Sequence, residues 1–554
     1  MRLTLVGIAG KYIHQNLAPW CLKAGLSQYG VKSPCKVLEL NINQPYIKAL
    51  EALVATRPQI AGFSVYIWNV QMVRSLAASL KTLLPKTIIV LGGPEAGSRP
   101  DSIMAEIPQA DYVITGPGEY ALSELCKRIQ SADDVSGIPG LTYRKTGGLK
   151  SNPPAPLPLP VPDPYTKECL RQVNGRIAYV ETARGCPFHC TFCLSGQEEA
   201  MHLLPLDATK KRLVKAAASG AKTIKLVDRT FNINRDRALS IFHFLIKKHR
   251  EGLITDVCFH FEVAADLFDE KTLALLKTAP PGLIQMEAGL QSFHKKTLEA
   301  CQRKTDLAKL RKNIASLLAG QNIHLHLDLI AGLPYEDFCT FGHSVDEAVA
   351  LRPHMLQLGF LKLLHGSRLL AQCAEFGILH AVDPPYEILK NKWLSFEDLC
   401  RLKNCEEALD KLYNSGKFKR MLDLVFSKTG ISPFLFFCRM GEIFAAHKGG
   451  LSLDLLTRIA YDYILTLPGL SPAEVRDAMA HDRLANDNTG RLPDCLAIED
   501  PQLGQIIRNL RKLKPEGAKL GVCILYDGEK RILCADYGKQ DAVSKEYATD
   551  ILPL

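Results

Sequence analysis

Along the N-terminal part of the chain, short apolar runs alternate with amphipathic stretches. The runs "RLTLVGIA", "CKVLELNI", "QIAGFSVY", "TIIVLGG" and "ADYVITG" read as five strands, with helical periodicity between them, as from Met72 to Leu84. Strand and helix in repeated alternation predict a parallel sheet covered on both faces, a doubly wound α/β unit. Such sheets bind ligands in the loops at the carboxyl ends of their strands. Here those loops read "GKYIHQN", "SVYIWN", "LGGPEAG" and "TGPGEY". Gly92, Gly93, Gly97, Gly116 and Gly118 let backbone amides come close to a large ligand, and four such loops on one sheet edge favour a bound cofactor.

From Ser151 to Tyr165 the pattern breaks into "SNPPAPLPLPVPDPY". Proline fixes φ and donates nothing to a ladder, so this is a semi-rigid connector. Beyond it come "IAYVET", "TIKLVD", "DVCFHFEV", "GLIQMEAG", "HLHLDLIAG" and "MLQLGFLK", each followed by a helical pattern. Six strand-helix units with right-handed crossovers predict an open partial (β/α)6 barrel with its chemistry at the carboxyl ends of the strands. Asp207 is placed to cap the first helix and Gly220 to close it. The remainder is mainly helical, with Ser395 as a cap, and ends in a hairpin turning at Asp527-Gly528. The expected domains are 1–145, a proline-rich linker 146–174, the barrel 175–368 and the helical region 369–554.

Composition narrows the function classes. The 554 residues are 47% hydrophobic and 23% charged, with a net charge of +10. That charge is too dilute for a nucleic-acid surface, though it suits anionic cofactors. The start of the chain is too short in apolar residues for a signal peptide, and no apolar run reaches the length of a membrane span, so the expected location is cytoplasmic. Most of the 17 cysteines are scattered singly among apolar residues, as packing residues in a reducing compartment are.

One group is not scattered. "TARGCPFHCTFCLSG" holds Cys186, Cys190 and Cys193 just after the first barrel strand. A structural zinc would normally need a fourth protein ligand, and a redox dithiol would give Cys186 no role. An iron-sulfur cube normally takes four thiolates, so three leave one iron open to a substrate atom.

The CxxxCxxC spacing, with Phe192 before the last cysteine, resembles the radical S-adenosylmethionine superfamily. The resemblance implies a [4Fe-4S] cluster on Cys186, Cys190 and Cys193, whose open iron chelates the amino and carboxylate groups of S-adenosylmethionine. It implies that Phe192 lines the adenine and that Asp228 of "KLVDRTFN" holds the methionine amino group; Glu262 and Glu287, acids amid apolar strands that are costly to bury without partners, are expected to face the barrel mouth. Glu287, Gln291 and Ser292 would contact ribose and carboxylate, and Ile330 and Gly332 of "LDLIAGLPYE" would lie along adenine. Many relatives carry two acidic residues at Asp228, whereas here Arg229 follows.

The N-terminal unit resembles the cobalamin-binding domain of the cobalamin-dependent branch. "KYIHQNLA" and "LVDRTFN" resemble a subgroup with an uncharacterised C-terminal extension. Ser64, Gly92, Gly93, Pro94, Glu95, Gly116, Gly118 and Glu119 would contact cobalamin, and Tyr66, Ile67 and Trp68 would form the surface beneath the ring. The D-x-H-x-x-G motif of domains that ligate cobalt through histidine is absent. His14 lies in the same loop and can ligate cobalt, hydrogen-bond the corrin, or cap the helix beginning near Asn16.

The resemblance implies a radical enzyme, and methyl transfer to an unactivated carbon of a small-molecule substrate is its first implication. It also implies an electron donor such as flavodoxin or ferredoxin. Cobalamin-dependent cyclisation or rearrangement without methyl transfer is an alternative, as is a non-catalytic cobalamin or redox sensor. Methylthiolation needs a second cluster on N-terminal cysteines, which Cys21 and Cys35 alone cannot supply.

Overall fold

Every side chain of LTLVGIA, which forms β1 (Leu3–Ala9), is buried, as a parallel strand covered by helices on both faces requires. The structure is a computed structural model that describes all residues except 155, 156, 158, 198–200 and 513–518. β1 lies among β2 (Cys35–Asn41), β3 (Ile60–Ser64), β4 (Ile88–Gly92) and β5 (Tyr112–Ile114), in the parallel order β2-β1-β3-β4-β5. Two further strands, β6 (Leu141–Lys145) and β7 (Gly148–Ser151), continue the sheet antiparallel beyond β5. The first sheet therefore runs to Ser151 and not to residue 145. β7 is wholly exposed, so no apolar run marks it. The linker also holds a helical turn, Lys167–Arg171, capped by Thr166.

β8 (Ile177–Val180) opens the barrel. A short antiparallel ribbon of β9 (Ala183–Arg184) and β10 (His202–Leu203) then brackets the cysteine loop. β11 (Thr223–Leu226), β12 (Cys258–Val263), β13 (Ile284–Gln291), β14 (His324–Ala331) and β15 (Met355–Phe360) follow, each parallel to its predecessor. Successive strand residues point to opposite faces. On β14, Leu325, Leu327 and Leu329 are fully buried, while His324, His326 and Asp328 alternate with them on the other face. β13 repeats the pattern with Gln285 and Glu287, so the inner face of the barrel is polar and its outer face makes the core.

An open sheet has two edges with unpaired backbone groups, and both are covered. On β8, His14 bridges Ile177 and Gln15 Oε1 accepts from Tyr179 N at 3.1 Å. On β15, the Asn414 side chain accepts from Leu356 N and donates to Leu356 O, both at 2.8 Å. Asn414 belongs to a π-helical turn that extends the helix Phe396–Leu409.

That helix starts with a capping box of Ser395 and Asp398. Asp207, by contrast, sits inside the first turn of Leu206–Ala217, whose cap is Pro205. A small hairpin of β16 (Leu379–His380) and β17 (Ile388–Lys390) precedes the helices. The chain ends in a sheet of β18 (Leu520–Leu525), β19 (Arg531–Gln540) and β20 (Tyr547–Pro553), whose third strand the hairpin pattern had not suggested. No helix among the described residues is long and apolar enough to cross a membrane.

Candidate cluster and cofactor site

The loop between β9 and β10 places Cys186, Cys190 and Cys193 around one cavity of about 210 Å³, together with Phe188 and Phe192. Glu262, Glu287, Gln291 and Asp328 reach the same cavity from β12, β13 and β14, and Arg229 and Arg303 bring positive charge. Cys186 and Cys190 are buried, whereas Cys193 is half-buried. Thr230 Oγ1 lies 3.7 Å from Cys186 Sγ, and Arg303 Nη1 donates to Cys190 Sγ at 3.8 Å. Burial raises the pKa of the Cys190 thiol, and Arg303 opposes that rise.

Among the described residues, no three ligand-type side chains converge tightly enough to hold a single metal ion. A cube is different, because each thiolate binds its own iron. Three thiols of one loop around a common cavity fit that donor set. Gln291 Oε1 is buried there without a hydrogen-bond partner, an acceptor ready for a ligand's hydroxyl or ammonium group. Gln291 also has φ +77, an uncommon conformation for a residue other than glycine.

Glu287 and Asp328 tie the cavity to a charge network. Glu287 accepts from Lys225 Nζ at 3.0 Å and lies 3.0 Å from His260 Nε2. Burial opposes its charge, but these partners hold its carboxyl below the usual range. His326 Nε2 lies 3.0 Å from Asp328 Oδ1. Asp328 and Arg303 had not been singled out from the sequence; the polar alternation of β14 pointed to Asp328, but nothing local marked Arg303.

Four expected S-adenosylmethionine contacts stand elsewhere. Asp228 is only 3% exposed and does not line the cavity. It accepts from Thr182 N at 2.8 Å, Ala183 N at 3.0 Å and the Thr182 hydroxyl, and so secures the start of the cysteine loop. Ser292 is fully buried and donates to Glu336 at 2.7 Å. Ile330 and Gly332 do not line the cavity, and a Cβ at Gly332 would meet Ile388 at 3.0 Å.

Glu336 also accepts from Ser344 at 2.8 Å, yet burial pushes its carboxyl up to about 7. A carboxyl raised above its unfolded value of about 4.3 stabilises the fold fully below that pH and loses the contribution as pH rises through 7. Between about pH 5 and pH 8, the melting temperature of the native protein should therefore fall more steeply than that of Glu336→Gln. Parallel melting curves for the two proteins would refute this.

At the carboxyl edge of the first sheet, Tyr66 and Trp68 stack at 4.3 Å with their planes 9° apart. Trp68 is 48% exposed, and its Nε1 donates to Ile8 O at 3.0 Å. Asn69, fully buried, ties the loop together by donating to Ile8 O and Ser64 O. This flat, partly exposed shelf and the neighbouring glycine loops suit a planar macrocycle. Gly93 has φ +100 and abuts Val65, so only glycine fits there.

His14 does not cap the helix that starts at Leu17. Its Nδ1 lies 2.8 Å from Tyr179 Oη on the barrel, at the seam between the two sheets. Glu95 and Glu119, expected at cobalamin, are 2% and 3% exposed and committed to protein partners. Arg99 Nε donates to Glu95 at 2.9 Å, and the Tyr386 hydroxyl donates to the same carboxylate. Arg184 Nη2 donates to Glu119 at 2.5 Å, and Arg184 also pairs with Glu181.

Matches to known families follow this division. Residues 3–126 match the B12 binding domain, 180–348 the Radical SAM superfamily, and 374–516 a protein of unknown function (DUF4080). The chain therefore carries a B12-binding domain ahead of a radical SAM domain, with a region of unknown function after them.

Among individual proteins, it is similar to the cobalamin-dependent radical SAM methyltransferase TokK of Streptomyces tokunonensis. Identity is 26% over 325 residues, 55% of this chain and 47% of TokK. It is likewise 26% identical over 366 residues to the 2-(S-pantetheinyl)-carbapenam-3-carboxylate methyltransferase of Streptantibioticus cattleyicolor, covering 62% and 53%. An anaerobic magnesium-protoporphyrin IX monomethyl ester cyclase of Rubrivivax gelatinosus is 24% identical over 319 residues, 55% and 56%. The chain thus spans about half the length of the curated relatives it matches. In fold it is similar to the cobalamin-dependent radical enzyme OxsB, with TM-score 0.59 and 14% identity over 93% of this chain and 81% of OxsB.

Proposed function

We propose that this protein is a cobalamin-dependent radical S-adenosylmethionine methyltransferase acting on an unactivated carbon of a small-molecule substrate. The observation that carries the reading is the Arg184 bridge. Two residues before Cys186, this guanidinium grips Glu119 at the start of the helix Gly118–Ser131, so the B12-binding domain abuts the cysteine loop. A methyl donor and a hydrogen-abstracting centre must face the same carbon, and this junction supports that arrangement.

Cys186, Cys190 and Cys193 would hold the [4Fe-4S] cluster. Glu262, Glu287 and Gln291 would surround S-adenosylmethionine with Phe192 and Arg303, and the Tyr66–Trp68 shelf would underlie cobalamin. When bound, these groups supply hydrogen-atom abstraction and a transferable methyl group. The protein's own part is orientation and exclusion of water. The aromatic rings of Phe188 and Phe192 wall the thiol side of the cavity, while Glu287, Lys225 and His260 hold one another in place and keep the polar lumen rigid. The reducing electron would come from a donor such as flavodoxin or ferredoxin.

The test is anaerobic reconstitution with iron, sulfide, cobalamin and methyl-labelled S-adenosylmethionine, followed by product mass analysis against extracts of the source cell. Label in a new product is expected. A changed product without label would favour cyclisation or rearrangement, the reading that the likeness to the cyclase supports.

A further inference from the structure

We infer that the β16–β17 hairpin, at the start of the region of unknown function, is a strut that ties the GGPEAG loop of the B12-binding domain to the segment that follows β14 in the barrel. The inference rests on the proposed cofactor assignment for its meaning, but the geometry stands on its own.

Tyr386 lies between β16 and β17, is 3% exposed, and adopts φ +57. Its hydroxyl donates to Glu95 in the GGPEAG loop, 291 residues earlier, and accepts from Arg99 Nη2 at 3.2 Å. The ring is braced edge-on by His365 at 4.8 Å, and next to it Gly366 abuts Ser98 of the same N-terminal segment. Two residues after Tyr386, Ile388 packs on Gly332, the residue at φ +97 that follows β14. Asn391 Nδ2 then donates to Gly332 O at 3.0 Å.

The hairpin is bonded into the barrel as well. Leu361 N donates to Ala331 O, Ile388 N to Leu361 O and Leu363 N to Tyr386 O, at 2.9 to 3.0 Å. A phenol on a buried carboxylate at one end and an isoleucine on a glycine at the other therefore share one short, hydrogen-bonded element. Moving the GGPEAG loop would pull on the segment 331–332 through it. Tyr386, Ile388 and Asn391 are thus positioning residues, acting on the GGPEAG loop and on the segment after β14 and touching neither reacting group.

The experiment compares Tyr386→Phe and Glu95→Gln with the native full-length protein. Backbone amide exchange is read first, without cofactors, and then the dissociation constant for hydroxocobalamin by visible absorption. Tyr386→Phe removes one oxygen from a buried charged hydrogen bond, so exchange should rise roughly tenfold at residues 95–98 and also at 361 and 363. Cobalamin binding should weaken by about tenfold in both variants. Faster exchange confined to 95–98 would mean a local contact and would overturn the strut, as would unchanged exchange throughout. If the native protein binds no cobalamin, the proposed function fails, while the exchange result still decides the strut.

Discussion

Alanine at Cys190 should leave the protein without iron and without any cleavage of S-adenosylmethionine. Cys190 is one of three thiols around a common cavity, is 5% exposed, and receives Arg303 at 3.8 Å. A cube held by three thiolates has no protein ligand to spare, so removing one leaves two irons unsupported. Iron should fall from about four per chain to near zero after anaerobic reconstitution, with 5′-deoxyadenosine below detection. The fold should persist, because deleting one small side chain at the rim of a cavity costs on the order of 1 kcal/mol. Matching circular-dichroism melts would confirm that the loss is chemical. Iron retained at the native level in this variant would end the cluster assignment.

Asp228→Ala should also cost the cluster, but by a different route. Asp228 accepts two backbone amides and a hydroxyl from Thr182 and Ala183, just ahead of the cysteines. Removing the carboxylate leaves three buried donors unpaired, at about 1–3 kcal/mol each, partly relieved by water entering the space. We expect a loss of roughly 3 kcal/mol in stability together with reduced iron content. A role in holding the methionine amino group would give the opposite pattern: native stability and iron content, with only weaker S-adenosylmethionine binding. Denaturant unfolding and iron assays on one preparation separate the two.

Much of the fold was legible because it is periodic. Buried runs such as LTLVGIA marked the parallel strands. β7 escaped because an exposed edge strand needs no apolar residues. The capping box at Ser395 was readable from neighbouring residues alone, whereas Asp207 showed that an acidic residue near a helix start does not by itself define the cap.

The amino-acid sequence by itself determined the parallel strands of the two sheets, the three thiols on one loop and the acidic residues set within apolar barrel strands. All three depend on residues close together in the chain. Only the tertiary structure decided what the buried carboxylates do. Glu95, Glu119 and Asp228 look alike in sequence, as acids at strand ends or in glycine loops, and each could face a ligand. Their partners Tyr386, Arg184 and Thr182 lie 291, 65 and 46 positions away. A buried charge takes whichever donor the fold brings to it, and no local pattern encodes that choice.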